Sequence, residues 1–258
     1  MLPKNEQTVV ILAGGRGSRL RPYTTVLPKP LIPVCEVPIL EVLIHQLREA
    51  GFGDLILAVN HHEGLVRSYF GDGSGLGVRI GYSKEDRALG TIGPLHLVAD
   101  RLSDHFLVMN GDLLTDLRFG RLMEAHTSSG RLLTVGTYRR TVQIGDGVIE
   151  SSPDGDISGF QEKPSINLWI SMGVYAMSRG ILDFIPVGRP FGMDQLILAM
   201  LEQRVKVNTY PHDGEWYDIG SPADLERANV ALAQRRGQFL SAESELAAVP
   251  SAALSPPF

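Results

Sequence analysis

Apolar runs alternate with helix-spaced apolar positions through the first half of the chain. Thr8–Ala13 is rich in Val and Ile with no polar alternation, the pattern of a strand buried on both faces. Pro38–Ala50 instead sets Ile39, Leu40, Leu43, Ile44, Leu47 and Ala50 on one helix face, and Gly51 ends it. The rhythm continues with a strand over Asp54–Asn60, a short helix over His62–Phe70 and a strand over Val78–Tyr82. Thr91–Ala99 reads as helix, His105–Asn110 as strand, and Asp116 as the cap of a helix reaching about Ser128. Such repetition predicts an α/β fold with a doubly wound, mostly parallel sheet.

The second half is less regular. Leu132–Tyr138 and Ile144–Glu150 read as strands, and an Asp154-Gly155 turn leads into a strand over Ile157–Gln161. Leu168–Met177 is a further strand, with helices near Ser178–Phe184 and Met193–Glu202. Val205–Pro211 and Glu215–Ile219 complete the strands. Ser221 then supplies an N-cap, followed by Pro222 at the first helical position and Asp224 three residues after the cap. From about Gly237 the chain is rich in Ala, Ser and Pro and reads as a weakly ordered or docking tail, residues 237–258. Residues 1–236 read as one domain with a distal substrate-binding half.

Composition narrows the classes. Of 258 residues, 43% are hydrophobic, enough for a sizeable core. A net charge of −5 gives no reason to expect nucleic acid or an acidic membrane as partner, so a cationic pocket here would serve one small anion. The single cysteine, Cys35, excludes an intramolecular disulfide; its apolar neighbours predict a buried, inert thiol. No apolar run approaches the roughly 18 residues of a membrane span, and the N-terminus lacks a signal-peptide core. A cytoplasmic location is expected.

Candidate chemistry is concentrated after the first strand. Gly14, Gly15 and Gly17 stand among Arg16, Arg19, Arg21 and Lys29. Glycine amides can approach phosphate oxygens with no Cβ in the way, and the arginines and lysine supply charge. The G-x-x-x-x-G-K-[ST] pattern fails, since no Gly-Lys-Ser/Thr occurs; G-x-G-x-x-G fails because Leu20 stands where the third glycine belongs. A third template, L-x-G-G-x-G-[ST]-R-L followed by P-K-P, is matched by Leu12–Leu20 and Pro28-Lys29-Pro30.

With that loop, and with Leu89–Leu95, Val108–Asp112, Phe160–Pro164, Ser171–Tyr175 and Trp216–Pro222 in order, the chain resembles the sugar-1-phosphate nucleotidylyltransferases, from about Thr8 to Ala228. The resemblance implies a Rossmann-like mixed sheet flanked by helices, of the nucleotide-diphospho-sugar transferase type. It also implies a nucleotide half over about residues 1–115 and a sugar-phosphate half over about 116–236. The activity implied is attack of a sugar 1-phosphate on the α-phosphorus of a nucleoside triphosphate, releasing pyrophosphate, with Mg²⁺ as cofactor. Leu12, Ala13, Gly14, Gly15, Gly17, Ser18 and Gly111 would surround the nucleotide. Arg19 can offer a bidentate fork to the β/γ-phosphates and Lys29 a compact charge near the α-phosphate. Asp112, at the carboxyl end of a strand, and Asp218, at the end of another, would hold the metal and bridge the two substrates. Glu85 can accept from guanine N1–H and N2–H₂ and Gly90 can offer backbone groups; the same glutamate occurs in relatives that use uridine nucleotides, so GTP is favoured while UTP, dTTP and CTP stay open. Gly147, Glu162, Lys163 and Ser171 would hold the sugar phosphate. Relatives often carry Asn near Ser171, so the sugar is left open, and Asp194 also matches a family position.

Two rivals differ in residues that can be checked. A metal-dependent glycosyltransferase usually carries D-x-D, whereas Asp112 and Asp116 are spaced otherwise and the arginine loop has no purpose there. A silent nucleotide-sugar sensor would have lost Arg19, Lys29, Asp112 or Asp218, and all four are present. No H-x-x-x-H, H-E-x-x-H or G-x-S-x-G pattern occurs, and His61-His62 reads as loop. Relatives often append a left-handed β-helix, whose hexapeptide periodicity is missing here, so the transferase unit alone is expected. Homo-oligomers, dimers by analogy, are suggested by the resemblance, as is a product feeding a cell-surface polysaccharide or other glycan.

Overall fold

The computed structural model describes residues 7–15, 17–60 and 63–240; Arg16, His61-His62 and positions 241–258 of the expected tail lie outside them. The described residues form thirteen strands: β1 (Thr8–Leu12), β2 (Pro33–Val34), β3 (Val37–Pro38), β4 (Asp54–Val59), β5 (Arg79–Lys84), β6 (His105–Asn110), β7 (Leu113–Thr115), β8 (Leu133–Gln143), β9 (Val148–Ser151), β10 (Ile157–Gln161), β11 (Ser165–Ser178), β12 (Asn208–His212) and β13 (Trp216–Asp218). The α-helices are α1 (Ile39–Glu49), α2 (Glu63–Phe70), α3 (Phe119–Ser129), α4 (Met193–Glu202) and α5 (Pro222–Phe239).

Seven strands form one sheet in the order β12-β8-β11-β6-β1-β4-β5. Only β11 is reversed, pairing antiparallel with β6 and β8, while β1 is parallel to β4 and β6, β4 to β5, and β8 to β12. The expected doubly wound, mostly parallel mixed sheet flanked by helices is therefore the fold. Its central strands are apolar because both faces are covered. Val9 and Ile11 pack with α1 and α2 through Leu40, Leu43, Leu47 and Val66. Val10 points the other way, into a cluster with Ile92, Leu95 and, from α4, Leu196 and Met200. A third cluster joins α5, through Ala228 and Leu232, to Leu20, Val42 and Leu114. No helix among the described residues is long and apolar enough to cross a membrane.

Several elements depart from their sequence expectation. The helix expected over Thr91–Ala99 is a 3-10 segment, Gly93–Arg101, broken at Val98. The amides of Ile92 and Gly93 are drawn to the Phe191 carbonyl, a partner no local pattern announces. Asp116 caps nothing: α3 begins at Phe119 behind Arg118, and Asp116 Oδ1 accepts from the Glu215 amide at 2.7 Å and faces His212 Nε2 at 2.9 Å. Strands β8 and β11 outrun their expected ends and pair as far as Gln143 and Ser165, forming an exposed arm that carries the β9–β10 ribbon. Of the strand expected over Ile144–Glu150 only β9 forms. Segment 215–219 does not join the main sheet, since β13 pairs antiparallel with β7 in a ribbon of its own. The capping of α5 is as expected, with Ser221 Oγ accepting from the Asp224 amide. That helix continues through Gly237 to Phe239, and Phe239 and Leu240 are buried. Cys35 is half-buried rather than buried; its thiol donates to the Asn229 carbonyl at 3.2 Å, and burial raises its pKa.

Candidate active site

The chain runs outward from β1 to β4 and β5, then crosses back to β6 on the other side of β1. Two neighbouring strands thus send their connections in opposite directions, and a crevice opens beyond their carboxyl ends. A cavity of about 480 Å³ fills it. From the end of β1 and the loop after it come Leu12, Ala13, Gly14, Gly15, Gly17, Ser18 and Arg19. Lys29, Glu85, Gly90, Gly111 and Asp112 complete the expected residues that line it.

Local chemistry shapes this cavity. Gly17 takes a left-handed φ of 58° and opens a short 3-10 turn, Ser18–Leu20, which buries Leu20 and leaves Ser18 and Arg19 outside. A Cβ at Gly17 would stand 2.7 Å from Thr24 Cγ2, and Thr24 Oγ1 donates to the Gly17 carbonyl at 2.8 Å, so the turn is clamped where only glycine fits. Gly90 is equally constrained, with φ 77° and a Cβ position 2.6 Å from the Phe191 carbonyl. Glu85 Oε2 accepts from the Leu89 amide at 2.6 Å, which orients the carboxylate across the loop it closes.

Lys29 forms an ion pair with Asp112, the two side chains being 15% and 16% exposed. The Asp112 carbonyl accepts from the Ile219 amide at 3.0 Å, and Leu113 pairs with Asp218 in the β7–β13 register. That ribbon brings Asp218 near enough to Asp112 for the two charges to interact. Asp218 faces an opening to solvent, yet the protein packed around it and then the neighbouring Asp112 charge raise its pKa, against the opposing pull of Lys29 and Arg19.

The expected sugar-phosphate residues stand apart from that cavity. Gly147 lies against the Phe160 ring and 3.4 Å, from its Cβ position, from Glu162 Oε2. Lys163 follows with a left-handed φ of 44°, a costly conformation for lysine that turns the chain from β10 into β11. Ser171 lies on β11 at a register shift, its hydroxyl 2.9 Å from Tyr175 Oη. The link to the cavity is Gly173, whose Cβ position would meet Asn110 Nδ2 at 2.5 Å. Asp194 opens α4, away from the cavity lining.

Asn60, Asn110, Thr91 and Gly220 also line the cavity and were not singled out from sequence. A signal existed for the two asparagines: each ends a buried apolar strand with a polar side chain, the position from which open sheets reach ligands. Gly220 falls within the Trp216–Pro222 segment that carries the resemblance but was given no role there.

Fold and site define a class: a doubly wound α/β protein with its ligand cavity at the topological switch point. Residues 8–235 match the family model described as nucleotidyl transferase, and the chain belongs to that family. It is 32% identical over 238 residues to a UTP–glucose-1-phosphate uridylyltransferase of Synechocystis, covering 85% of this chain and 61% of that protein. It is likewise 32% identical to a mannose-1-phosphate guanylyltransferase of Mycobacterium tuberculosis, covering 86% of this chain and 64% of that one. The chain therefore spans a little over three-fifths of the length of these relatives. Among solved structures, one described as a glucose-1-phosphate thymidylyltransferase of Bacillus anthracis superposes with a TM-score of 0.71 at 26% identity, covering 90% of this chain and 98% of that one. HddC of Yersinia pseudotuberculosis shares the fold, with a TM-score of 0.69 at 23% identity, covering 88% and 99%.

Proposed function

We propose that this protein transfers a nucleotidyl group from a nucleoside triphosphate, GTP by preference, to a sugar 1-phosphate. The observation that carries this reading is the ion pair of Lys29 with Asp112 at the glycine-loop cavity, with Asp218 held beside it by the β7–β13 register. The glycine loop would receive the triphosphate on its amides, Arg19 would bind the β/γ-phosphates, and Lys29 would stand at the α-phosphate. An incoming sugar phosphate oxygen forms a bond to the α-phosphorus as the bond to the bridging oxygen breaks, and the electron pair leaves with pyrophosphate. Catalysis is then mostly positioning and charge neutralisation, and no covalent enzyme intermediate is required.

The donor set suits Mg²⁺. Lys29 is ion-paired with Asp112, and the Asp112 charge, after burial, helps to raise the pKa of Asp218, so a cation between the two carboxylates would favour their ionised forms. Among the described residues no group of three or more His, Cys, Asp or Glu is arranged for a metal, so substrate oxygens and water would complete the shell, as Mg²⁺ usually requires. Bound between Asp112 and Asp218, the ion would neutralise charge on the reacting phosphates. Gly147, Glu162, Lys163 and Ser171 are assigned to the sugar phosphate, and Asn110 joins that half to the nucleotide cavity. Because the Leu89 amide engages Glu85 Oε2, the other carboxylate oxygen is kept for the guanine N–H edge.

Pyrophosphate release across four nucleoside triphosphates and a panel of sugar 1-phosphates, with Mg²⁺ and with chelator, tests the reading. Release that needs both substrates and the metal, fastest with GTP, is expected. Asp112→Asn and Asp218→Asn should each lower kcat by about 100-fold or more with the fold intact. Near-wild-type kcat in either variant would overturn the metal assignment, and silence over the whole panel would overturn the activity.

A further inference from the structure

A second cavity, of about 430 Å³, adjoins the first and shares Arg19 and Gly220 with it. The reaction described above uses Arg19 and Asp218 on its inner wall and leaves Arg140 without a role. The cavity lies toward the α5 side of the site, with Arg140, Trp216, Asp218 and Arg227 among its walls. Its walls carry three arginines and three carboxylates, of which Asp218 is in no ion pair among the described residues. Glu215 is paired with Arg235, and Asp224 with Arg227 at 2.5 Å. Arg19 and Arg140 have no carboxylate ion-pair partner among the described residues.

Arg140 is nevertheless placed. Its guanidinium stands 5.5 Å over the Trp216 ring. That ring is itself fixed, by donation of Nε1 to the Met172 carbonyl at 3.0 Å and by the Tyr138 ring at 5.3 Å. A guanidinium held through its face keeps its N–H edges for a ligand. Arg19 approaches from the glycine loop and rests against Gly220, where a Cβ would be 3.0 Å from its Nη2. Two forks from distant chain segments thus border one polar cavity that opens onto the phosphate end of the first. Such a pair matches a compact polyanion.

We propose that the second cavity is a pyrophosphate subsite, in which Arg140 joins Arg19 to take up the leaving group of nucleotidyl transfer. The proposal rests on the transferase reading. When the bond from the α-phosphorus to the bridging oxygen breaks, that oxygen keeps the electron pair and the leaving group gains charge. Arg19 lies on the wall common to both cavities and can follow the β/γ-phosphates from one to the other. Arg140 adds a second guanidinium that the first cavity does not include. It is a positioning residue for release and for the reverse reaction, with no part in binding the sugar.

Calorimetric titration of the full chain with inorganic pyrophosphate in Mg²⁺ buffer tests this without turnover. Arg140→Gln should weaken pyrophosphate binding about tenfold or more, the loss of a charge-assisted contact, and Arg140→Lys should restore part of it. In the reverse reaction the same Gln variant should raise KM for pyrophosphate and leave KM for the nucleotide sugar within about twofold. Arg140 is exposed, so an unchanged melting temperature is expected and shows that the variant is folded. Unchanged pyrophosphate affinity in Arg140→Gln, with affinity lost in Arg19→Gln, would confine the ligand to the first cavity and overturn the proposal. An equal rise in KM for the nucleotide sugar would also overturn it, by showing a structural role only. Failure of the substrate panel to release pyrophosphate would instead remove the transferase reading, an outcome the direct titration keeps separate.

Discussion

His126 is fully buried, with Nδ1 2.9 Å from Thr134 Oγ1 and Nε2 3.0 Å from Ser178 Oγ. Burial, and then the His105 ring 5.5 Å away, depress its pKa from 6.5 to about 4. Between those values the unfolded chain takes up a proton that the folded chain refuses. The stabilisation is therefore complete above pH 6.5 and is lost as pH falls toward 4. The shift corresponds to about 2 kcal/mol lost between pH 7 and pH 5. Urea midpoints of wild type and His126→Gln at those two pH values check this: the wild type should lose the larger share, and parallel losses would refute it. Burial also leads at Asp218, where it raises the pKa of a carboxyl and the neighbouring Asp112 charge adds to the shift.

At the scale of elements, the site depends on small connections more than on the large sheet. The three-residue strands β7 and β13 place Asp218 opposite Leu113, and α5 begins four residues after Asp218. Ser221 holds that start: its hydroxyl accepts from the Asp224 amide at 3.3 Å and donates to Asp224 Oδ2 at 2.6 Å. Ser221→Ala should cost about 1 kcal/mol of stability, read as a lower urea midpoint with an unchanged slope. An unchanged midpoint would mean that the cap is not needed. The loop of residues 89–93 is organised in a similar way. Phe191 donates its amide to Leu89 and receives those of Ile92 and Gly93, so a segment just before α4 shapes the wall opposite the glycine loop.

For the whole molecule, the cavity lies where the two directions of winding part, so a ligand there touches loops from β1, β5 and β6 at once. A triphosphate bound at about 100 times its Kd should add about 2.7 kcal/mol to the stability of the folded chain. A domain of this size should then melt roughly 5–10 °C higher. Thermal melts with and without GTP and Mg²⁺ measure this, and no rise at saturating GTP would count against the cavity as the nucleotide site. Much of this organisation was legible in the sequence. The double winding is written in Val- and Ile-rich runs separated by one-faced helices, because burial on both faces requires unbroken apolar strands. The glycine loop and Asp112 were legible because each follows such a strand, where residues face the crevice. The local pattern could not show that β13 leaves the main sheet, that Asp116 bonds to Glu215 rather than capping α3, or that Arg140 stands over Trp216. Each depends on partners tens of residues or more away in the chain, and neither hydrophobic period nor capping chemistry records such pairings. By itself the sequence determined the central strands, most of the helices and the glycine-rich loop, since these follow from short-range periodicity and backbone sterics. Tertiary structure alone decided which carboxylates and arginines share a cavity, because that proximity is set by strand register and packing between distant segments.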